Sequence, residues 1–275
     1  MMNRRYLAPS GYLGCVLLVL LVASACFAPW LTPYDPRTQD LETGLHGPGW
    51  AHPCGQDKLG RDLCARLFYG ARVSLLVGVI SVIVTLTVGV AIGALAGYRS
   101  GLLDEFIMRL TDMFLAFPGI LLALALMAIL GPSITNVIIA LCIVGWVGYA
   151  RLTRGLVLVA REMEYVTAAR ATGARGGYIL VRHILPNIAG PLVVQATFSL
   201  AGMIVAEAGL SFLGLGVQPP TPSWGAMLNE GRLFLILAPH LAVVPGGAIM
   251  LAVLGCNLLG DGLRDWLDPR GEIVA

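Results

Sequence analysis

Lysine is almost missing from this 275-residue chain: Lys58 stands alone, preceded by Asp57. A phosphate-binding P-loop ends in Gly-Lys-Ser/Thr, so the chain cannot hydrolyse ATP by that route. The His-Glu-x-x-His pattern of zinc hydrolases and the Gly-x-Ser-x-Gly elbow of acyl-transfer enzymes are missing as well. No nucleophile–base pair stands out, so no catalytic residue and no metal site is assigned. Charge is scarce, at 12% of residues, against roughly 25% in a soluble domain. The basic residues are scattered along apolar borders rather than gathered on one face, which excludes a nucleic-acid surface.

Apolar side chains fill the space that charge leaves, with 57% hydrophobic residues and a mean hydropathy of +0.81. A soluble core of this size cannot hide so much apolar surface, so lipid is the solvent. Six stretches approach the length of about 20 apolar residues that a spanning helix needs. They are Leu13 to Trp30, Val73 to Tyr98, Phe106 to Leu130, Ile134 to Val159, Ile188 to Leu213, and His240 to Gly260. The expected fold class is therefore all-α, a polytopic membrane protein with six transmembrane helices. A rival for the first stretch is a secretory signal, because Arg4 and Arg5 precede an apolar run ending in Ala23-Ser24-Ala25-Cys26.

Orientation follows from Lys and Arg. With the N-terminus inside, twelve of the 18 basic residues fall on the inner side and six on the outer side. Both termini are expected to be cytoplasmic. The chain then divides into residues 1–30, the N-terminus and first span; residues 31–72, an external segment; and residues 73–275, the transmembrane core with a cytoplasmic loop at 160–186. Within 31–72, Leu59, Leu63 and Leu67 recur every four residues between Arg61, Asp62 and Arg66, a pattern that suits a helix lying on the membrane surface. A second external segment, 214–239, carries Trp224, Asn229 and Arg232.

Several side chains invite a functional reading beside a plainer one. Glu207 lies deep in span five and Asp112 in the first third of span three. An acid within a span is a candidate for the translocation path or a subunit interface. The plainer reading for Asp112 is a pair with Arg109, three residues back on the same face. Glu207 can equally bond a neighbouring helix. Cys15, Cys26, Cys142 and Cys256 lie in apolar runs and act as small hydrophobes. Cys54 and Cys64 share a polar loop; an oxidising compartment would let them pair, but their spacing matches no known framework, so the pairing stays open. His46, His52 and Cys54 form a loose metal-capable cluster without a recognised spacing. Pro118, Pro239, Pro245, Gly246 and Gly247 are places for helices to bend.

The densest signal is REMEYVTAARATGARGGYILVRHILP, residues 161–186. Ala168, Ala169, Ala171 and Gly173 are small and let another protein's surface approach closely. Arg161, Arg170 and Arg175 surround them with positive charge. Pro186 is expected to open the next span. The plainer reading is a loop whose arginines obey the positive-inside rule.

This segment resembles the "EAA" loop of ABC importer permeases: Glu-Ala-Ala, three residues, Gly, then a spacer ending in Ile-x-Leu-Pro. Ala168, Ala169, Gly173, Leu185 and Pro186 fit. Thr167 stands where the family often has Glu, and Ile184 is one place late. Further stretches look like the C-type permease branch of the peptide/nickel importer family. They include Gly55-Gln56-Asp57-Lys58-Leu59-Gly60-Arg61-Asp62, Asp112-Met113-Phe114-Leu115-Ala116-Phe117-Pro118, Ala206-Glu207-Ala208-Gly209-Leu210-Ser211, Pro222-Ser223-Trp224-Gly225 and Asn257-Leu258-Leu259-Gly260-Asp261. The family usually has Leu where Cys54 stands, which favours a plain apolar role there.

The resemblance implies a type I ABC importer permease of MetI-like fold in a bacterial inner membrane. It implies that Glu164, Tyr165, Thr167, Ala168, Ala169, Arg170, Gly173, Ala174, Leu185 and Pro186 couple the bundle to ATPases. The implied partners are a homologous second permease, two cytoplasmic ATPase subunits that hold ATP and Mg, and an extracytoplasmic substrate-binding protein. Trp224, Asn229 and Arg232 are the docking candidates for that binding protein. No cofactor is expected on this chain. Di- or oligopeptides are the implied cargo, with nickel or a metal chelate as the alternative. An ion-coupled secondary transporter is the alternative of another class, and Glu207 is the sole deep acid that could serve it.

Overall fold

A backbone surrounded by lipid has to pair its N–H and C=O groups within its own segment. The long apolar runs of this chain accordingly form helices. A computed structural model describes residues 8–267; Arg4, Arg5 and Arg270, used above for orientation, lie outside them. The helices are α1 (Pro9–Cys26), α2 (Ala28–Leu31), α3 (Leu63–Arg99), α4 (Leu102–Leu115), α5 (Gly119–Leu130), α6 (Ile134–Ala160), α7 (Glu164–Ala171), α8 (Gly176–Ile179), α9 (Leu185–Asn187), α10 (Ala189–Phe212), α11 (Trp224–Gly231) and α12 (His240–Leu267). Among the described residues the β-type pairing is one isolated bridge, Gln56 to Asp62.

Among the described residues five helices are long and apolar enough to cross a membrane: α1, α3, α6, α10 and α12. The third expected span is instead two helices, α4 and α5, bent by 83° across Ala116-Phe117-Pro118. Pro118 has no N–H to give to a helix and disfavours helical backbone at Phe117 before it. The later bend candidates behave differently. Pro239 precedes α12, and α12 runs as one helix past Pro245, Gly246 and Gly247 to Leu267.

Side-chain caps fix where helices start. Asp62 accepts from the Ala65 N–H at 2.6 Å, Ser133 from Asn136 at 3.1 Å and Ser223 from Ala226 at 3.2 Å, opening α3, α6 and α11. The cap at Asp62 corrects the expected surface helix. Leu63 and Leu67 are part of the first turns of α3, which begins ten residues before Val73, and the charges between them point inward rather than to water.

α3 runs beside α6 with the same polarity, and glycines set the spacing. A Cβ on Gly89 would lie 2.5 Å from the Trp146 carbonyl, one on Gly97 would lie 2.8 Å from that of Arg154, and one on Gly93 would overlap the Ala150 carbonyl. This four-residue glycine stripe lets two backbones meet, the usual device where lipid supplies no hydrophobic drive between helices. It was legible in the sequence and was not read. Gly93→Leu is expected to force the pair apart and to cost at least about 1–3 kcal/mol, the usual penalty for overpacking. Thermal unfolding of the purified variant in detergent checks this; an unchanged midpoint would refute the close contact.

Two ends of the bundle can now be distinguished. At one end, residues 31–62 form an arch over the tops of α3 and α12. Arg72 donates to the last carbonyls of α1, from Nε to Ala25 at 2.5 Å and from Nη2 to Cys26 at 3.0 Å. Segment 214–239 lies at the same end, joined to the arch by ion pairs between Arg61 or Arg66 and Glu230. At the opposite end lie residues 99–102 and 160–188, held together where Arg161 donates to the Gly97 carbonyl at 2.9 Å and to Ser100 Oγ.

Candidate functional site

The segment from Arg161 to Ile188 forms a ledge at the end away from the arch. Its first element, α7, carries Glu164 in the first turn and Arg170 in the last, both favourable to the helix dipole. One side chain anchors it: Val166 is fully buried in a cluster with Ala94, Val157, Ala160, Ile179 and Ile184. Tyr165, Thr167, Ala168 and Arg170 are exposed, as is Glu164, and Ala169 is half-buried.

The helix stops on a Schellman turn. Ala174 N–H donates to the Ala169 carbonyl at 3.1 Å and Gly173 N–H to the Arg170 carbonyl at 2.9 Å. Gly173 has φ +84°, the left-handed conformation that glycine adopts without penalty. Nothing among the described residues lies within 4 Å of where its Cβ would be, so its role inside the subunit is backbone geometry, with open space outside. Arg170, Arg175 and Arg182 have no carboxylate partner among the described residues. The ledge thus presents a small-residue knob ringed by unpaired positive charge. It holds no nucleophile and no metal-binding set; what it can do is receive another protein's surface and pass a force to α3 and α6 through Val166.

Pro186 was expected to begin the following span, and the structure differs. Helix starts at Gly176 and passes through a π-helical turn, Leu180–Ile184, in which the Leu185 N–H reaches back to the Leu180 carbonyl. The wider turn takes up the proline, whose ring would clash in a regular helix. Leu185 is half-buried, Pro186 is exposed, and α10 follows from Ala189.

The acids of the spans fall into two situations. Asp112 pairs with Arg151 across α4 and α6, while Arg109 pairs with Glu105 on its own helix. The expected Asp112–Arg109 pair is therefore incorrect: neither the same-face spacing nor proximity in sequence outweighed the arginine on the facing helix. Glu207 is 0% exposed. It accepts from Ser74 Oγ at 2.9 Å and Ser211 Oγ at 2.7 Å, and Ser74 Oγ accepts in turn from the Trp224 N–H at 3.3 Å. Inside this subunit Glu207 ties α3, α10 and α11 together. Glu207→Ala strands buried hydroxyls and is expected to cost about 1–3 kcal/mol, whereas Glu207→Gln keeps an acceptor and should cost less. Equal unfolding midpoints for the two variants would contradict this role.

At the arch end, Trp224 is 1% exposed and donates from Nε1 to the Leu67 carbonyl at 3.1 Å. That corrects its reading as a surface side chain for a docking protein; it is a core residue at the start of α11. Asn229 is half-buried, and Arg232 is exposed with its guanidinium 5.5 Å from the centre of the Phe212 ring.

The histidine and cysteine cluster does not converge. Cys54 is bonded to Cys64, which corrects its reading as a plain apolar residue. His52 Nδ1 meets Asp62 Oδ2 at 2.8 Å, and His46 Nδ1 faces the Thr43 carbonyl at 3.0 Å.

Sequence reasoning missed one constellation altogether. Asp57, Arg61, Arg66 and Glu230 form a buried, charge-balanced quartet. Arg61 donates to Asp57 at 2.6 Å and to Glu230 at 2.6 Å; Arg66 donates to Asp57 and, at 2.7 and 3.1 Å, to Glu230. Glu230 lies more than 160 positions from its partners, so no local spacing could reveal it.

The family described as "Binding-protein-dependent transport system inner membrane component" matches residues 89–272, and "N-terminal TM domain of oligopeptide transport permease C" matches residues 9–48. The glutathione transport system permease protein GsiD of Pectobacterium atrosepticum is 47% identical over 269 residues, covering 97% of this chain and 89% of its own. The di/tripeptide transport system permease protein DppC of Pseudomonas aeruginosa is 46% identical over 263 residues, covering 94% and 87%. A chain of the methionine ABC transporter MetNI, solved in inward-facing conformations, shares the fold with a TM-score of 0.57 at 20% identity, covering 74% of this chain and 97% of that one.

The chain is the permease subunit of an ABC importer, whose ATP hydrolysis resides on separate subunits. The chain belongs to the binding-protein-dependent transport system inner membrane component family, and it is a multi-pass protein of the inner membrane.

Proposed function

We propose that the ledge at 160–188 faces the cytosol and docks an ATPase subunit, and that the arch and α11 face outward to meet a substrate-binding protein. The observation that carries this reading is the exposed Ala168–Gly173 knob, keyed to α3 and α6 by Val166. The orientation is supported by nine of the 15 basic residues among the described residues falling on the ledge side and by a disulfide on the arch side, since disulfides persist outside the cytosol. Both termini are then cytoplasmic.

The transporter would hold this chain, a homologous second permease and two ATPases carrying ATP and Mg, with no cofactor on this chain. Nucleotide biases two global states of the pair, and the ledge passes that bias to the helices. Peptides are the cargo of choice, because relatives covering nearly the whole chain carry glutathione or di- and tripeptides by name. The test is uptake into proteoliposomes holding the assembled transporter and its binding protein. ATP-dependent accumulation of labelled di- or tripeptide is expected. Accumulation of nickel without peptide would overturn the cargo reading.

A further inference from the structure

The disulfide Cys54–Cys64 has no part in the transport cycle described above. It joins the arch to the second residue of α3, across a sequence separation of 10. The loop it closes is tightly wound. Gly55 and Gly60 sit at φ +82° and +71°. Leu63 N–H donates to the Gly55 carbonyl at 3.0 Å, and Asp57 N–H to the Arg61 carbonyl at 3.1 Å.

This loop presents Asp57 to the quartet. Three of the four charges stand on regular helix or at its border: Arg66 on α3, Glu230 on α11, and Arg61 one residue before the α3 cap. Asp57 alone comes from irregular backbone. Its Oδ2 accepts from both Arg61 Nε and Arg66 Nη1, and its Oδ1 accepts from the Leu59 and Arg61 backbone N–H groups at 2.8 and 3.1 Å. A buried ion cluster is favourable only while its geometry is complete. Restricting the loop's alternatives is what a cross-link does. Both cysteines are half-buried residues rather than fully enclosed ones.

We propose that Cys54–Cys64 is a redox lock on the outer platform: closed, it fixes Asp57 in the quartet and makes the arch and α11 one body; open, it lets that body loosen. The proposal rests on the outward orientation given above. The partner affected is the binding protein, which would press on both parts at once. The signal of its arrival then depends on the lock, and turnover without it does not.

In the opening step a thiolate of dithiothreitol attacks one cysteine sulfur and the S–S bond breaks. The second thiol of the reagent displaces the protein sulfur and leaves as a cyclic disulfide. Two electrons and two protons end on Cys54 and Cys64. Closing reverses this, with a disulfide-bearing thiol oxidase of the outer compartment taking the two electrons.

The experiment uses the assembled transporter in proteoliposomes, with the wild-type chain and the double variant Cys54→Ser/Cys64→Ser, each with and without dithiothreitol. Maleimide mass tagging of the denatured chain reports the state. Of six cysteines, Cys15, Cys26, Cys142 and Cys256 are free, so four tags mean a closed lock and six an open one. The expected result is a several-fold loss of binding-protein-stimulated ATP hydrolysis on reduction, with basal hydrolysis unchanged. The double variant should be weakly stimulated and indifferent to the reagent. Full stimulation with six tags, full stimulation of the double variant, or six tags on protein taken directly from membranes would each overturn the lock. Absence of any stimulation in the four-tag wild type would instead overturn the orientation and partner reading beneath it.

Discussion

A transporter carrying Gly173→Trp should insert into the membrane normally, lose its ATPase on purification and import nothing. The structure separates two causes. Position 173 requires φ +84°, and a residue other than glycine in that conformation pays roughly 1–2 kcal/mol, which frays the Schellman turn ending α7. The indole also projects into the open space where a docked subunit would sit, since nothing among the described residues occupies it. Gly173→Asn distinguishes the two, because asparagine tolerates the left-handed region and is small. It should retain much of the transport that tryptophan abolishes. Wild-type transport by the tryptophan variant would refute the docking role of the ledge.

Glu230→Ala is the second large effect. It removes the carboxylate that Arg61 and Arg66 share and leaves two buried guanidinium groups with Asp57 alone. Breaking a buried ion cluster by deleting one partner costs about 3–5 kcal/mol. The unfolding midpoint in detergent should fall by roughly 10 °C on the usual scaling for a chain of this size. Pairing the change with Arg66→Met removes the surplus charge, and the double variant should be more stable than Glu230→Ala. A double variant less stable than either single would show that the side chains contribute by packing, not by charge balance.

How much of this could be read from the sequence depends on the range of the interactions. The spans announced themselves because hydropathy and length are local properties. Pro118 marked the break in the third span for the same reason. The small residues from Ala168 to Gly173 located the ledge, and the Schellman turn was implicit in a glycine following a short helix. Arg61, Asp62 and Arg66 were misread as the wet face of a surface helix. Leucines every four residues look alike whether the other face meets water or a buried carboxylate from a distant helix. Trp224 was misread because an aromatic in a polar external loop resembles a docking residue until Leu67 is seen to accept its N–H. Pro186 was placed at a helix start because a π-helical turn leaves no trace in residue spacing.

The central claim, that the small-residue ledge is the cytosolic handle for a separate motor, is tested most directly by labelling. A single cysteine at Ala168, in a chain whose Cys15, Cys26, Cys142 and Cys256 are replaced and whose Cys54–Cys64 bond is kept, is treated with a membrane-impermeant maleimide. The account predicts no labelling in intact cells, labelling in inverted membrane vesicles stripped of ATPase, and protection when the ATPase is added back. Labelling from outside intact cells, or equal labelling with and without the ATPase, would contradict it.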